Sequence, residues 1–314
     1  MKRLLTCLFA AAMVVPLAGA DATSLRLSAP LIGLAANGTR VAVALGSRPG
    51  DCAHVLIWSR LGHRLERLGR AAPCGPVTST GRGLVGPSIA GPRALWITYV
   101  GGNIREWSLW TASVGHAKPR LLRFVPRNVE STPPLVLGVG DASKGGFILP
   151  YALDDTVYSL QPDGRLGFSW QAPERVIALA ARNGELAVAL ASGPVVILGA
   201  AGQVLRTETF DGPVDAVAAA GSVVQRGHVL EWLTADGWQM RTIDGAWHLA
   251  DVFSTIAVYT LGHQIHAFNL SNGKDALVLR TTAHPFVQID SSGGLVYGSG
   301  RRVSFIRGWS TGLR

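Results

Sequence analysis

The sequence predicts an all-β chain folded as a seven-bladed β-propeller of four-stranded blades, with the ring closed by an N-terminal strand. Three observations carry that expectation. A unit of four short apolar strands joined by tight turns recurs every 40 residues or so, about the period of a propeller blade. Seven such units fit between residue 31 and the end of the chain. The last unit is one strand short, and one unassigned strand precedes the first.

In chain order, Lys2 and Arg3 stand before an apolar run over 4–17 that ends in Ala18-Gly19-Ala20-Asp21-Ala22. This is the pattern of a secretory signal peptide, and the run is shorter than the roughly 20 residues a spanning helix needs. Cleavage before Asp21 and before Thr23 both fit. Residues 1–22 are therefore assigned to the leader and 23–314 to a single propeller domain, secreted or periplasmic. No later run is long and apolar, so no membrane span is expected once the leader is removed.

Residues 23–28, Thr-Ser-Leu-Arg-Leu-Ser, form the stray strand. The first unit follows with strands at 31–36, 40–47, 54–60 and 63–68, turning at Asn37-Gly38-Thr39 and Leu61-Gly62. Weaker copies occupy 86–132 and 133–174. The clearest unit is 175–212, with strands at 176–181, 185–191, 195–200 and 203–210. Its first turn is Arg182-Asn183-Gly184, and Asn-Gly between alternating apolar runs signals a hairpin because both residues tolerate positive φ. Residues 34–45 (LAANGTRVAVAL) and 179–190 (LAARNGELAVAL) echo one another. Units at 213–246 and 247–285 lead to the final one, where only 286–290, 295–298 and 302–307 read as strands. Pairing the stray strand beside it would close the ring and remove two exposed sheet edges. The tryptophans, Trp58, Trp96, Trp107, Trp110, Trp170, Trp232 and Trp247 among them, recur in the strand runs and are expected to pack between blades.

The segment Gly262-His263-Gln264-Ile265-His266-Ala267-Phe268-Asn269-Leu270-Ser271-Asn272-Gly273-Lys274 resembles the PQQ-type repeat of quinoprotein-like β-propellers. It has the glycine, a strand carrying Ala and an aliphatic, and an Asn-x-x-x-Gly-Lys turn. Residues 157–164 and 196–202 look like degenerate copies, so the resemblance covers three blades. The Trp usual at the end of the repeat is replaced by 277–279 and by Leu205. The resemblance therefore implies the fold, and neither quinone nor any other cofactor is expected.

Composition sets further bounds. Of the 314 residues, 48% are hydrophobic and 16% charged, enough apolar content for a sizeable core. The net charge of +9 falls to +7 without Lys2 and Arg3, but the arginines are spread with no dense basic run, so no specific nucleic-acid binding is expected. An exported basic protein would instead meet an anionic envelope polymer or another exported protein. Removing the leader removes Cys7 and leaves Cys52 and Cys74, which reads as one disulfide in an oxidising compartment. Two free thiols, or half of a shared metal site, are the alternatives. Closing that loop would contribute about 3 kcal/mol in the chain-entropy model.

Motif spellings name no catalytic residue and no metal site. Gly308-Trp309-Ser310-Thr311-Gly312 spells a nucleophile elbow, but only Leu313 and Arg314 follow it. Ser271-Asn272-Gly273-Lys274 falls in a hairpin turn. His263 and His266 point to opposite faces of a strand, which argues against a shared ion. Asp154 and Asp155 adjoin a turn. Asn37-Gly38-Thr39 and Asn269-Leu270-Ser271 are glycosylation spellings in turns.

If blades run from strand A at the axis to strand D outside, the A–B and C–D turns read as tight. The B–C and D–A links on the other face read as long, at 48–53, 69–87 and 126–134, and long loops on a rigid scaffold are where binding concentrates. That face would gather Arg48, Asp51, Arg82, Arg127, Asp154, Asp155, Arg226, His263, His284 and Arg301 into a net basic rim, with Cys52 and Cys74 pinning two of its loops. The expected function is a noncatalytic ligand- or protein-binding scaffold of the cell envelope or exterior. The alternative is a propeller-type envelope enzyme, a hydrolase, lyase or quinone-dependent dehydrogenase, with its site at the axial mouth.

Overall fold

The computed structural model describes residues 22–48, 51–69, 81–128 and 133–313. The strand β1 (Ala22–Arg26) is first in the chain but pairs with the last strand. β2 (Leu31–Asn37), β3 (Arg40–Leu45), β4 (His54–Ser59) and β5 (Arg64–Leu68) form the first sheet. The second holds β6 (Arg82–Ala90), β7 (Arg93–Gly101), β8 (Arg105–Ser113) and β9 (His116–Asn128). In the third, β10 (Leu135–Leu137) and β11 (Asp141–Ser143) both pair with β12 (Gly146–Leu153), which leads to β13 (Thr156–Leu160) and β14 (Leu166–Gln171). The fourth comprises β15 (Val176–Arg182), β16 (Glu185–Leu190), β17 (Val195–Gly199) and β18 (Val204–Glu208). The fifth comprises β19 (Ala216–Ala218), β20 (Val223–Arg226), β21 (Val229–Thr234) and β22 (Gly237–Thr242). The sixth comprises β23 (Trp247–Phe253), β24 (Ile256–Leu261), β25 (Gln264–Asn269) and β26 (Asp275–Arg280). β27 (Phe286–Ile289), β28 (Leu295–Ser299) and β29 (Arg302–Ile306) make the seventh with β1. All strand pairs within these sheets are antiparallel. Among the described residues no helix is long and apolar enough to cross a membrane.

The first strand of each sheet lies beside that of the next: β2 on β6, β6 on the split β10 and β11, these on β15, β15 on β19, β19 on β23, β23 on β27, and β27 on β2. The sequence echo has its cause in this arrangement. Along β3, Val41, Val43 and Leu45 pack towards Val296, Val303 and Phe305 of the seventh sheet, while Ala42 and Ala44 face Ile89, Ala94 and Trp96 of the second. Along β16, Leu186, Val188 and Leu190 pack towards the third sheet and Ala187 and Ala189 towards the fifth. These two B strands are thus buried on both faces, large residues on one side and alanines on the other, which lets neighbouring sheets close up. Trp58, Trp96, Trp107, Trp232 and Trp247 are buried in these intersheet layers, as expected.

Buried polar side chains stitch the inner strands together. Gln288 accepts from the Ala36 amide at 2.6 Å, Asn37 accepts from Gly91 N at 2.9 Å, and Ser88 donates to Gly138 O at 2.5 Å. Gln225 and Asp251 accept from Leu249 N (2.8 Å) and Ile289 N (2.9 Å) in the same way. Each bond crosses from one sheet to the next, so these groups meet their hydrogen-bonding needs without leaving the core.

Several boundaries differ from the sequence expectation. The second unit begins at Arg82 rather than at residue 86, because Gly86, at φ 53°, and Pro87 form a bulge within β6. Pro87 has no N–H to give a ladder, and a bulge is where a strand tolerates it. The inner strand of the third sheet is split around Val139, which bridges in parallel to Ala180 of the fourth. Gly138 and Gly140 permit this approach, since a Cβ on Gly138 would lie 2.5 Å from Leu179 Cβ. β1 starts at Ala22 and ends at Arg26 instead of spanning 23–28, with Leu27 N still donating to Arg301 O at 2.8 Å. The B–C links are mostly tight turns, as between β12 and β13 or β24 and β25, and 46–53 alone is long. Residues 1–21 of the expected leader and most of the links 69–81 and 129–134 lie outside the described residues, as does Cys74, whereas Ala22, assigned to that leader, opens β1.

Candidate functional site

All ten rim residues sit at the end of the sheets that carries the B–C and D–A links, but few of them act as free charges. Asp51 is 8% exposed and receives two bonds from Arg67, at 2.8 and 2.9 Å, with Arg48 at 3.8 Å and a backbone bridge to Arg48. The Arg67 hydrogen bonds hold its carboxyl below the usual value, against the opposing pull of burial. Asp51 is a clamp across its own loop. Arg226 bonds Glu231 at 2.6 Å and the Asp211 carbonyl at 2.7 Å, and Arg127 lies 3.8 Å from Glu106. Counting five arginines against three aspartates therefore overstated the rim's positive charge, because Arg226 and Arg127 have glutamate partners on neighbouring strands.

The remaining positions are spread around the rim. Arg82 and Arg127 lie within strands β6 and β9, not in loops. Asp154, at φ 55°, and Asp155 make the two-residue turn after β12, and their carbonyls accept from Val176 N (2.9 Å) and Ala172 N (2.8 Å). His263 and Arg301 occupy tight turns whose carbonyls accept from Thr281 N and Leu27 N, both at 2.8 Å. These residues hold the ends of their own sheets through their backbone, and Asp154 also ties the third sheet to the fourth. Cys52 shares the Asp51 loop, its carbonyl 2.8 Å from His54 Nδ1.

His284 is the exception, because it reaches the space at the centre of the inner strands. A cavity of about 300 Å3 opens there, lined by Leu34, Pro87, Leu137, His248, Thr260 and His284. It adjoins an apolar groove of about 610 Å3 formed by Val85, Leu135, Val176 and Ile177, with Pro87 and Leu137 common to both. Sequence reasoning missed His248, since a single His in the alternating start of β23 carries no signal of its own. Its imidazole lines the cavity. Desolvation there, and next the neighbouring His284, lower its pKa from 6.5, while Asp215 opposes the shift. Two imidazoles in one recess can exchange protons or hydrogen-bond a ligand. Among the described residues no group of three or more His, Cys, Asp or Glu is placed to hold a metal ion.

No protein-family model matches the chain, and no curated protein matches it by sequence. Solved structures do. A chain of the mitotic checkpoint complex shares 14% identity at a TM-score of 0.56, with 98% of each chain covered. The Myceliophteria thermophila Cps50 (Swd1) β-propeller domain shares 13% at 0.55, covering 91% of this chain and 99% of that one. The fold is a β-propeller. Its solved neighbours are propellers of the WD40 type, so the PQQ-type repeat is not what the comparison shows. Raptor from Chaetomium thermophilum, at 12% and 0.51, covers 90% of this propeller but only 29% of its own chain.

Proposed function

We propose that the chain is an exported seven-bladed propeller, closed by its N-terminal strand, that serves as a noncatalytic scaffold binding a segment of another exported protein at the axial mouth. The observation that carries this is the continuous apolar recess running from Val85, Val176 and Ile177 through Pro87 and Leu137 into the axial cavity. An apolar recess framed by rigid inner strands suits an extended, partly apolar segment, and an anionic polymer would find few uncommitted rim arginines. The neighbour named as part of a checkpoint complex lends the same direction, a propeller as an assembly part. The seven sheets and the β27–β2 contact support the blade count, and the β1–β29 pairing supports the closure.

Substituting Ile177→Asp and Val85→Asp tests this reading. Capture of envelope proteins by the full chain should fall at least tenfold relative to Met240→Asp, which places the same charge on an exposed outer strand. Equal capture by all three proteins would reject it. Export and a Cys52–Cys74 disulfide belong to the same proposal, and non-reducing mass spectrometry of exported protein should find the linked peptides rather than two free thiols.

A second reading, an envelope enzyme with its site at the axial mouth, draws on His248 and His284 sharing the cavity. His248→Gln with His284→Gln would leave partner capture intact under the scaffold reading and abolish turnover under the enzymatic one.

A further inference from the structure

A cluster of arginines lies on the side of the molecule, between the second and third sheets. Strand β9 reads His-Ala-Lys-Pro-Arg-Leu-Leu-Arg-Phe-Val-Pro-Arg-Asn and contains no carboxylate. Across from it stands Arg165, in the turn before β14. A groove of about 360 Å3 opens between them, lined by Arg120, Arg123, Arg165, Tyr151, Leu160 and Leu166, and no Asp or Glu lines it.

The glycine at its edge shows how closely the cations are gathered. A Cβ on Gly164 would lie 2.6 Å from Arg93 Nη1 and 3.2 Å from Arg120 Nη2, so two guanidinium groups converge on one residue. Arg93 is 7% exposed and donates only to neutral acceptors: Pro162 O at 2.8 Å, Thr111 Oγ1 at 3.3 Å and Ser113 Oγ at 2.6 Å. Arg120 donates to Gly164 O, again a neutral group. Burial and then the Arg120 charge push the Arg93 pKa down. The carboxylate that opposes this, Asp163, is itself exposed and lies 3.5 Å from Arg165. A buried guanidinium without a carboxylate, beside another guanidinium, is costly until an anion joins it. Arg123 lies 4.7 Å from the Tyr158 ring centre, and Tyr158 is stacked on Tyr151, which orients the guanidinium. Exposed Leu121 and Leu166 line the opening.

We propose that this groove is an oxyanion site, taking a phosphate- or sulfate-bearing ligand whose apolar part rests on Leu121 and Leu166. The forked donors of Arg120 and Arg123 match two oxygens of such a group, and the field of Arg93 adds to the attraction. The site lies away from the axial mouth and stands independently of the scaffold reading.

Isothermal titration of the full chain with inorganic phosphate and with dodecyl phosphate, at ionic strength held constant with chloride, tests it. The expected result is saturable binding, tighter for dodecyl phosphate, weakened at least tenfold in Arg120→Gln/Arg123→Gln and unchanged in Arg280→Gln/Arg302→Gln. Arg123→Lys keeps the charge and stem but removes the fork, and it should weaken binding severalfold even if the double variant does not fold. Arg123-dependent sedimentation with phosphatidylglycerol vesicles would place the oxyanion on a lipid headgroup, and phosphate binding without sedimentation would place it on a soluble ligand; either supports the site. No saturable binding of phosphate or dodecyl phosphate, or equal losses in the two double variants, overturns it.

Discussion

At the scale of single residues, the joint between the first and seventh sheets turns on Arg60 and Asp290. Asp290 is fully buried, Arg60 nearly so, and the two form an ion pair while Arg60 lies 3.5 Å over the Phe305 ring. Asp290 also accepts from Ser292 N and Gly294 N, at 2.8 and 2.9 Å, holding its own turn. Asp290→Ala would strand a buried guanidinium, and urea denaturation should show a loss of about 3–5 kcal/mol. Asp163→Ala breaks an exposed pair and should cost no more than about 1 kcal/mol. His248 gives a pH dependence of known sign. Its folded pKa lies below 6.5, so the unfolded chain takes up a proton that the folded chain refuses. Its contribution to stability is complete above 6.5 and is lost as pH falls towards the folded value. Between about pH 7 and pH 5, His248→Gln should lose less stability than the parent protein; an unchanged pH profile would contradict the assignment. None of this was legible in the sequence, because Arg60 and Asp290 are 230 residues apart and no local pattern marks either one.

At the scale of elements, β1 completes a sheet that the chain's own order leaves short. It pairs with β29 from Ala22↔Ile306 to Arg26↔Arg302, and Leu27 and Ala29 join the core against Val303 and Phe305. Deleting residues 22–28 should lower the melting temperature markedly and expose the β29 edge, which dye binding or aggregation kinetics would report. A deletion that melts like the full chain would show that the pairing contributes nothing. This element was readable because an unpartnered strand at one end and a three-stranded unit at the other are both local facts. The alternation of alanines with larger residues was readable for the same reason. The split of β10 from β11 was not, since it depends on Gly138 meeting Leu179 of the next sheet. Loop length misled where composition stood in for geometry: Gly86 and Pro87 looked like a link and lie inside a strand.

At the scale of the whole molecule, small alanine faces, buried polar stitches and the Arg60–Asp290 pair all act at the joints between sheets, so rigidity is concentrated around the axis. The arginines and aspartates expected to form a working rim are largely committed to ion pairs and turns of their own sheets, and what they leave open is an apolar recess at the mouth. This recess is the proposed contact surface. A photoreactive phenylalanine analogue placed at Ile177, and separately at Met240, and irradiated in intact exporting cells tests it most directly. The expected result is a discrete protein adduct at position 177 that Val85→Asp abolishes, with no such adduct at 240. Identical adducts at both positions, or an adduct at 177 that survives Val85→Asp, would contradict it.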